Sequence, residues 1–406
     1  MRKKIIGLAV LAALASGNVM AAPSIEDKID ILQQEIEALK DQLAKADTGN
    51  RAKGIQSFTE NTTIGGYGEL HYNNFMGDVP AGATRSKDEI DLHRFVLFFG
   101  HRFNDWISLK SELELEHSNT ENGGAVELEQ AYLDFNFSQR INAKAGVFLM
   151  PIGFLNETHE PPTFYGVERN NIETRIIPST WWEAGVSLYG EIAPGWKYQT
   201  GLTSNLSAEH FEKFATKGLR EARRNVSEAP AENIAFHARL DYSGMPGLTV
   251  GASVITGNTG QDHADLHGAD ARLTLWDVHA RYNVDKLDLR ALYAQGHLGD
   301  AAKINDAFGY NVASRFYGWY AEAAYHVWKN GDHDLAPFVR YEKWDTQASL
   351  PGNAVRDTLS NNDVWTVGAN YWPHPQVVLK ADFQKFEKAD GDNGDKRLNL
   401  GLGYMF

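Results

Sequence analysis

Cysteine is absent from all 406 residues. A chain without thiols has no disulfide scaffold and no thiolate nucleophile, so the small cross-linked secreted folds are excluded. Long apolar runs are missing as well. No stretch reaches the roughly 20 apolar residues that a spanning helix needs, which excludes an α-helical membrane protein. Basic excess is missing: 39 Lys and Arg stand against 53 Asp and Glu, a formal net charge of −14, which argues against a nucleic-acid partner. No repeat of fixed period is present, which removes β-helices and propellers. No Ser/His/Asp-type cluster stands out, so no enzyme, no cofactor and no metal site is expected. The pairs in Asp262-His263-Ala264-Asp265-Leu266-His267 and the acids of Asp390 to Asp395 read as solvated loops.

What is abundant is aromatic and glycine: 20 Phe, 16 Tyr, 10 Trp and 37 Gly, in a chain of mean hydropathy −0.41. The apolar residues fall on alternate positions. In the last ten residues Leu398, Leu400, Leu402, Tyr404 and Phe406 share one parity, and Arg397, Asn399, Gly401, Gly403 and Met405 the other. Ile107 to Glu116, Ile141 to Met150, Ile234 to Asp241, Trp365 to Tyr371 and Val377 to Gln384 alternate in the same way. Period two is a strand with one apolar and one polar face. About sixteen such strands are predicted, near 63–74, 89–101, 106–117, 126–137, 140–150, 182–192, 195–204, 233–243, 247–257, 271–282, 286–296, 316–328, 334–345, 363–373, 376–387 and 396–406. Their connections alternate short and long. An even strand count with this asymmetry predicts an all-β fold, a transmembrane antiparallel β-barrel with short turns on the periplasmic side. Around Asp91, His93, Arg94 and Val96 the polar parity shifts, by a bulge or by an Arg94 placed near the membrane interface.

The beginning of the chain reads differently. Arg2, Lys3 and Lys4 precede an apolar run, Ile5 to Ala15, and small residues ending at Ala21, so residues 1–21 read as a signal peptide. Ile25, Ile29, Leu32, Ile36, Leu39 and Leu43 form a heptad seam, which predicts a periplasmic coiled-coil helix over 24–45. Residues 46–61 read as a linker, and 62–406 as the barrel.

The connection from Pro151 to Trp181 is too long and too aromatic for an ordinary exposed loop. Folded into the lumen, it would place Glu157, His159, Glu160, Tyr165, Glu168, Arg169, Glu173 and Arg175 at a pore constriction. Mixed charge across a narrow opening makes a transverse field that orients polar solutes. A packed loop whose charges pair with one another is the other possibility. The wall candidates, taken from the polar parity, are Glu69, Lys110, Glu112, Glu114, Glu116, Arg239, Arg281, Arg290, Glu322, Arg340, Lys380, Asp382 and Arg397. Ser207 to Glu228 carries Lys213, Lys217, Arg220, Arg223 and Arg224 and reads as a basic helix of an outer loop, facing solvent or anionic lipopolysaccharide.

Three stretches carry a family resemblance: Gly65 to His71 (GGYGELH), Glu127 to Phe135 (ELEQAYLDF) and Asn156 to Asn170 (NETHEPPTFYGVERN). They resemble the phosphate-selective porin O and P family. The resemblance implies a sixteen-stranded, trimeric channel of the bacterial outer membrane, set in outer-membrane lipid and lipopolysaccharide. The strand ending in Tyr404 and Phe406 likewise resembles the C-terminal signature that the barrel-assembly machinery reads. The function expected is passive diffusion of ions and small hydrophilic solutes through a charged lumen. A phosphate- or anion-selective channel is the alternative, and a structural or enzymatic barrel the alternative of another class. Phosphate-specific members carry an arginine ladder and a lysine cluster. Here the basic wall candidates are dispersed among acids, and dense acids raise local cation concentration.

Overall fold

Many leucines point outward and most charges inward along the strands of this chain, the reverse of a water-soluble protein; Leu273, Leu275, Leu292 and Leu298 are inward exceptions. Trp365 and Val367 are 48% and 56% exposed, while Thr366 between them is 0% exposed. Leu379 and Phe383 are exposed, whereas Lys380, Asp382 and Gln384 are buried. The same inversion runs through Leu398 and Leu400 against Asn399. A sheet wet on its inner face and apolar on its outer face is what the period-two pattern dictates.

The computed structural model describes residues 59–77, 87–121, 123–388 and 393–406. The chain divides into two units, Met1–Glu60 and Asn61–Phe406, and the barrel is the second. The signal-peptide and coiled-coil expectations, and all of the linker before residue 59, lie outside the described residues.

Sixteen strands close the ring. They are β1 (Thr62–Met76), β2 (Glu89–Arg102), β3 (Ile107–Glu116), β4 (Val126–Asn136), β5 (Asn142–Leu149), β6 (Trp182–Ala193), β7 (Trp196–Thr203) and β8 (Ala235–Tyr242). There follow β9 (Leu248–Asn258), β10 (Arg272–Val284), β11 (Leu287–Leu298), β12 (Arg315–Tyr325), β13 (His333–Ser349), β14 (Asn361–His374), β15 (Val377–Lys388) and β16 (Asn393–Met405). A short piece, Trp328–Asn330, continues β12 along β13. Each strand pairs antiparallel with its sequence neighbours, and β16 returns to β1, from Tyr67 opposite Met405 to Met76 opposite Lys396. Gly66 N–H donates to the Phe406 carbonyl at 3.0 Å, and Phe406 N–H to the Gly66 carbonyl at 2.9 Å. Closure leaves no free edge, so the backbone is satisfied without water.

Two bulges re-aim side chains. Glu69 pairs with Arg94 but Leu70 with Leu92, so His93 is an extra residue in β2. Arg94 is therefore inward, 3% exposed, with Glu69 at 2.8 Å and Glu114 at 3.0 Å; it is not at an interface. Glu112 pairs with Gln130 but Leu113 with Leu128, so Glu129 is the extra residue in β4. Both bulges add a polar side chain to the inner face. Pro337 sits inside β13 without an N–H to give; the partner strand breaks beside it, between Tyr325 and Trp328.

The apolar core is built by connections. Met150, Ile152, Ile172, Ile176 and Trp181 from the β5–β6 connection pack with Leu206, Phe211, Phe214 and Leu219 from the β7–β8 connection. Wall residues, among them Ile255, Leu275, Leu292, Phe316 and Trp344, pack against them in the same cluster.

Candidate functional site

The β5–β6 connection is held by its own side chains first. Asn156 Nδ2 donates to the carbonyls of Met150 and Trp181 at 2.7 and 2.8 Å, and its Oδ1 accepts from Trp181 N–H at 2.8 Å. One amide thus ties the two ends together. Buried Glu173 accepts from the N–H groups of Phe154 and Leu155 at 2.5 and 2.7 Å, from Asn170 Nδ2 at 2.9 Å and from Tyr320 Oη at 3.1 Å. A fully bonded carboxylate can stand in for water at the centre of a folded loop. Glycine makes the sharp turn at Gly166, where φ is +80° and a Cβ would meet Phe338 and Asp382.

The wall holds the loop next, from almost every side. Gly153 N–H donates to Asp277 of β10 (3.2 Å), Tyr165 Oη to Asp288 of β11 (3.1 Å) and Asn171 N–H to Glu342 of β13 (2.5 Å). Gly166 N–H donates to Asn370 of β14 (3.3 Å) and Val167 N–H to Asp382 of β15 (2.6 Å). Glu168 meets His71 Nδ1 of β1 at 3.2 Å and accepts from Asn73 Nδ2 at 2.9 Å. A segment that bonds to β1, β10, β11 and β13 to β15 at once lies within the ring. On β16 it seats against glycine: a Cβ at Gly403 would come within 2.3 Å of Pro161.

The sequence-predicted constriction residues do not share one opening. Glu168, Arg169 and Arg175 line a cavity of about 230 Å³, with Glu69, His71, His93, Arg94, Lys217, Arg220 and Arg397. Tyr165 lines another of about 560 Å³, with Arg281, Asp285, Asp288, Arg290 and Asp334 at the short-turn end. Glu157 lines a third of about 380 Å³ with Tyr189, Lys197, Arg239 and Asp241. His159 is buried between the loop and the β3–β4 wall, and Glu160 is half-buried, its carbonyl accepting from Thr163 at 2.9 Å.

Of the wall candidates, Glu69, Glu112, Glu114, Arg290, Glu322, Arg340, Lys380 and Asp382 are buried. Glu116, Arg239, Arg281 and Arg397 are half-buried. Lys110 is exposed and pairs with Asp134 at 2.8 Å. Most of these charges are spent on one another. Arg340 holds Glu322 and Glu342 at 3.1 and 2.8 Å, and Asp288 takes Arg281 and Arg290 at 2.8 and 3.1 Å.

The smallest of the three cavities is different. Six cations, Arg94, Arg169, Arg175, Lys217, Arg220 and Arg397, face two carboxylates, Glu69 and Glu168. Arg169 Nε and Nη2 and Arg397 Nε have no hydrogen-bond partner among the described residues. Burial, and then the neighbouring Arg223, Arg94 and Arg169, pull the Arg220 guanidinium down to about 9. Burial opposes the charge of Glu168 too, but His71 and Asn73 outweigh it and hold the carboxyl at about 2.

Sequence reasoning missed the inward turn of Arg220 and Arg223. The segment is not one basic helix: it holds a short helix, Phe214–Lys217, and two 3-10 turns, Ala208–His210 and Arg220–Ala222. Arg223 Nη1 donates to the Ser179 carbonyl at 2.9 Å and Arg220 Nη1 to the same oxygen at 3.2 Å. The apolar residues between the charges, Phe214, Leu219 and Ala222, were the available signal.

No family model matches the chain. A protein of Aquifex aeolicus (strain VF5), described as an uncharacterized protein, is 34% identical over 365 residues, covering 86% of this chain and 81% of that one. Among solved structures, the Salmonella typhi OmpF complex with daunomycin has a TM-score of 0.58 at 13% identity, over 85% of this chain and 98% of that one. The anion-selective porin from Comamonas acidovorans has 0.57 at 11%, over 85% and 99%. The trimer form of the outer-membrane protein OmpT of Vibrio cholerae has 0.51 at 11%, over 85% and 99%. The fold is thus that of outer-membrane porins, and the chain belongs to the same family as the Aquifex aeolicus protein.

Proposed function

We propose that the chain is an outer-membrane porin through which ions and small hydrophilic solutes diffuse passively, past a lumen narrowed by the Pro151 to Trp181 loop. One observation carries this reading: a closed barrel with an apolar outer face folds a polar-lined loop into its own ring. The outer face needs hydrocarbon, because in water it would be a continuous apolar surface. The cavities that the loop leaves along the wall are lined by charge, which suits hydrated solutes. No covalent chemistry is part of the proposal. The narrowing is assigned to the loop residues that line cavities, Glu168, Arg169 and Arg175 at the most cationic one, Tyr165 and Glu157 at the two others, with His159 and Glu160 packed behind them.

Outer-membrane lipid and lipopolysaccharide, delivery by the barrel-assembly machinery through Tyr404 and Phe406, and a homotrimer belong to the same proposal. Trimer formation is checked by the mass of the detergent-extracted complex. The channel itself is tested by adding purified protein to a planar bilayer. Stepwise conductance increments are the expected result; a folded protein that inserts and conducts nothing overturns the reading in favour of a structural barrel.

A second reading has its own support. The unpaired guanidinium groups beside Arg220 favour anions in that cavity, phosphate among them, over the cation preference that the acid-rich composition suggests.

A further inference from the structure

His159, Glu112 and Glu129 meet where the inward loop touches β3 and β4, and they meet in an arrangement that neutral or anionic side chains cannot hold alone. All three are buried, at 3%, 2% and 0% exposure. His159 Nε2 lies 3.5 Å from Glu112 Oε1 and 3.5 Å from Glu129 Oε2. Beyond these two contacts His159 Nε2, Glu112 Oε1 and Glu129 Oε2 have no hydrogen-bond partner among the described residues, and neither has Glu129 Oε1. The other ring nitrogen fixes the tautomer. His159 Nδ1 is 3.1 Å from the Asn156 carbonyl, which can only accept, so Nδ1 carries the hydrogen. In the neutral ring Nε2 is then a lone pair aimed at two carboxylate oxygens.

We propose that Glu112, Glu129 and His159 bind a divalent transition-metal cation of the zinc class. The spacing fits. Ligands at about 2.0–2.2 Å from a tetrahedral ion lie about 3.3–3.6 Å from one another, and both contacts of Nε2 are 3.5 Å. One donor atom from each residue lies within 4.8 Å of the others. An imidazole in the set favours a transition metal over magnesium or calcium. The supporting shell is present: the Asn156 carbonyl orients the ring, and Gln130 Nε2 donates to the second oxygen of Glu112 at 2.6 Å. Tyr67 packs its ring edge against His159 at 5.8 Å, and its hydroxyl is buried without a partner among the described residues.

The neighbouring charges leave room for a cation. Glu114 adds a third carboxylate, and Arg94 is committed to Glu69 and Glu114. Arg169 acts on the same cluster and opposes the metal, but one guanidinium does not cancel the remaining acids. The bulge at Glu129 is what places two successive side chains, Glu129 and Gln130, on the inner face of β4. The metal would tie the loop to that wall. Binding does not depend on the channel reading, so its test is read in metal content rather than current.

The full-length protein, extracted in detergent and stripped with a chelator, is titrated with zinc chloride and separately with cobalt chloride. The expected result is one zinc per chain, a cobalt spectrum of tetrahedral strength, and at least tenfold weaker zinc affinity in His159→Ala and in Glu129→Gln, while His263→Ala binds as wild type. Folding of each variant is checked by circular dichroism. Should His159→Ala not fold, Glu129→Gln and the wild-type cobalt spectrum decide. A wild-type protein that retains no zinc, or one whose affinity is unmoved in Glu129→Gln, overturns the proposal and leaves a proton on Nε2 as the occupant.

Discussion

Glu168 keeps a charge that its surroundings oppose. Burial raises its carboxyl, but His71 at 3.2 Å and Asn73 at 2.9 Å outweigh burial and hold it at about 2, against an ordinary 4.5. A depressed carboxyl stabilises the folded state above its unfolded value and loses that stabilisation as pH falls. The window therefore runs from about 4.5 down to about 2, and the contribution is on the order of 1–3 kcal/mol. Denaturant unfolding in detergent at pH 5 and pH 3 checks this: wild type loses stability between the two, and Glu168→Gln loses measurably less. Asn156 is the second residue on which the loop depends. Replacing it with alanine strands the Trp181 N–H, at a cost of about 1–3 kcal/mol when buried, and leaves the Met150 and Trp181 carbonyls with only their backbone donors, Ile152 N–H and Met150 N–H. Faster hydrogen exchange across residues 150–181, with the strands unchanged, is the expected result. Unchanged exchange in the loop would show that the wall contacts suffice without the clamp.

The strands were legible because each needs only its own parity. Predicted and observed bounds of β4 differ by one residue at the C-terminal end, and β13 runs four residues further than its apolar alternation, into a stretch where Thr346 and Gln347 turn polar but stay buried. Bulges were legible in principle as parity breaks: the polar pair His93-Arg94 in β2, and Leu128 and Leu133, apolar on opposite parities, in β4. The loop was legible as unusual through its length and aromatics. Its partners were not, because Glu173 with Tyr320, or Asn171 with Glu342, join residues that no local pattern links. Glycine in β16 carried a hidden signal of the same kind. Gly401 and Gly403 occupy the inner face, where Val167 and Pro161 approach them. Gly403→Leu removes the room for Pro161, so the loop must lift from β16 while β16 keeps its pairing with β15. A larger single-channel conductance is expected, with an unchanged far-ultraviolet circular dichroism spectrum. Equal conductance would mean that the loop does not narrow the path at that point.

Net charge and selectivity part company in this barrel. The composition is acidic, and an acidic lumen would gather cations. Yet Glu69, Glu114, Glu322, Glu342 and Asp288 are each bonded to an arginine of the wall, and paired charges project little field. The field along the most cationic cavity belongs instead to Arg169, Arg175, Lys217, Arg220 and Arg397. These cations come from the two long loops as well as from β16, so neither a strand pattern nor a charge count reveals them together. Substitutions at the two places should therefore differ. Arg169→Glu with Arg220→Glu replaces cavity cations by acids, and the reversal potential in a potassium chloride gradient is expected to move in the cation direction. Glu112→Lys with Glu114→Lys puts new cations beside Arg94 and His159 in a buried cluster, so loss of folded protein is expected before any change of selectivity. If instead the glutamate pair sets the reversal potential and the arginine pair leaves it unmoved, solutes pass along the β3–β4 wall, and the Arg169–Arg220 cavity lies off their path.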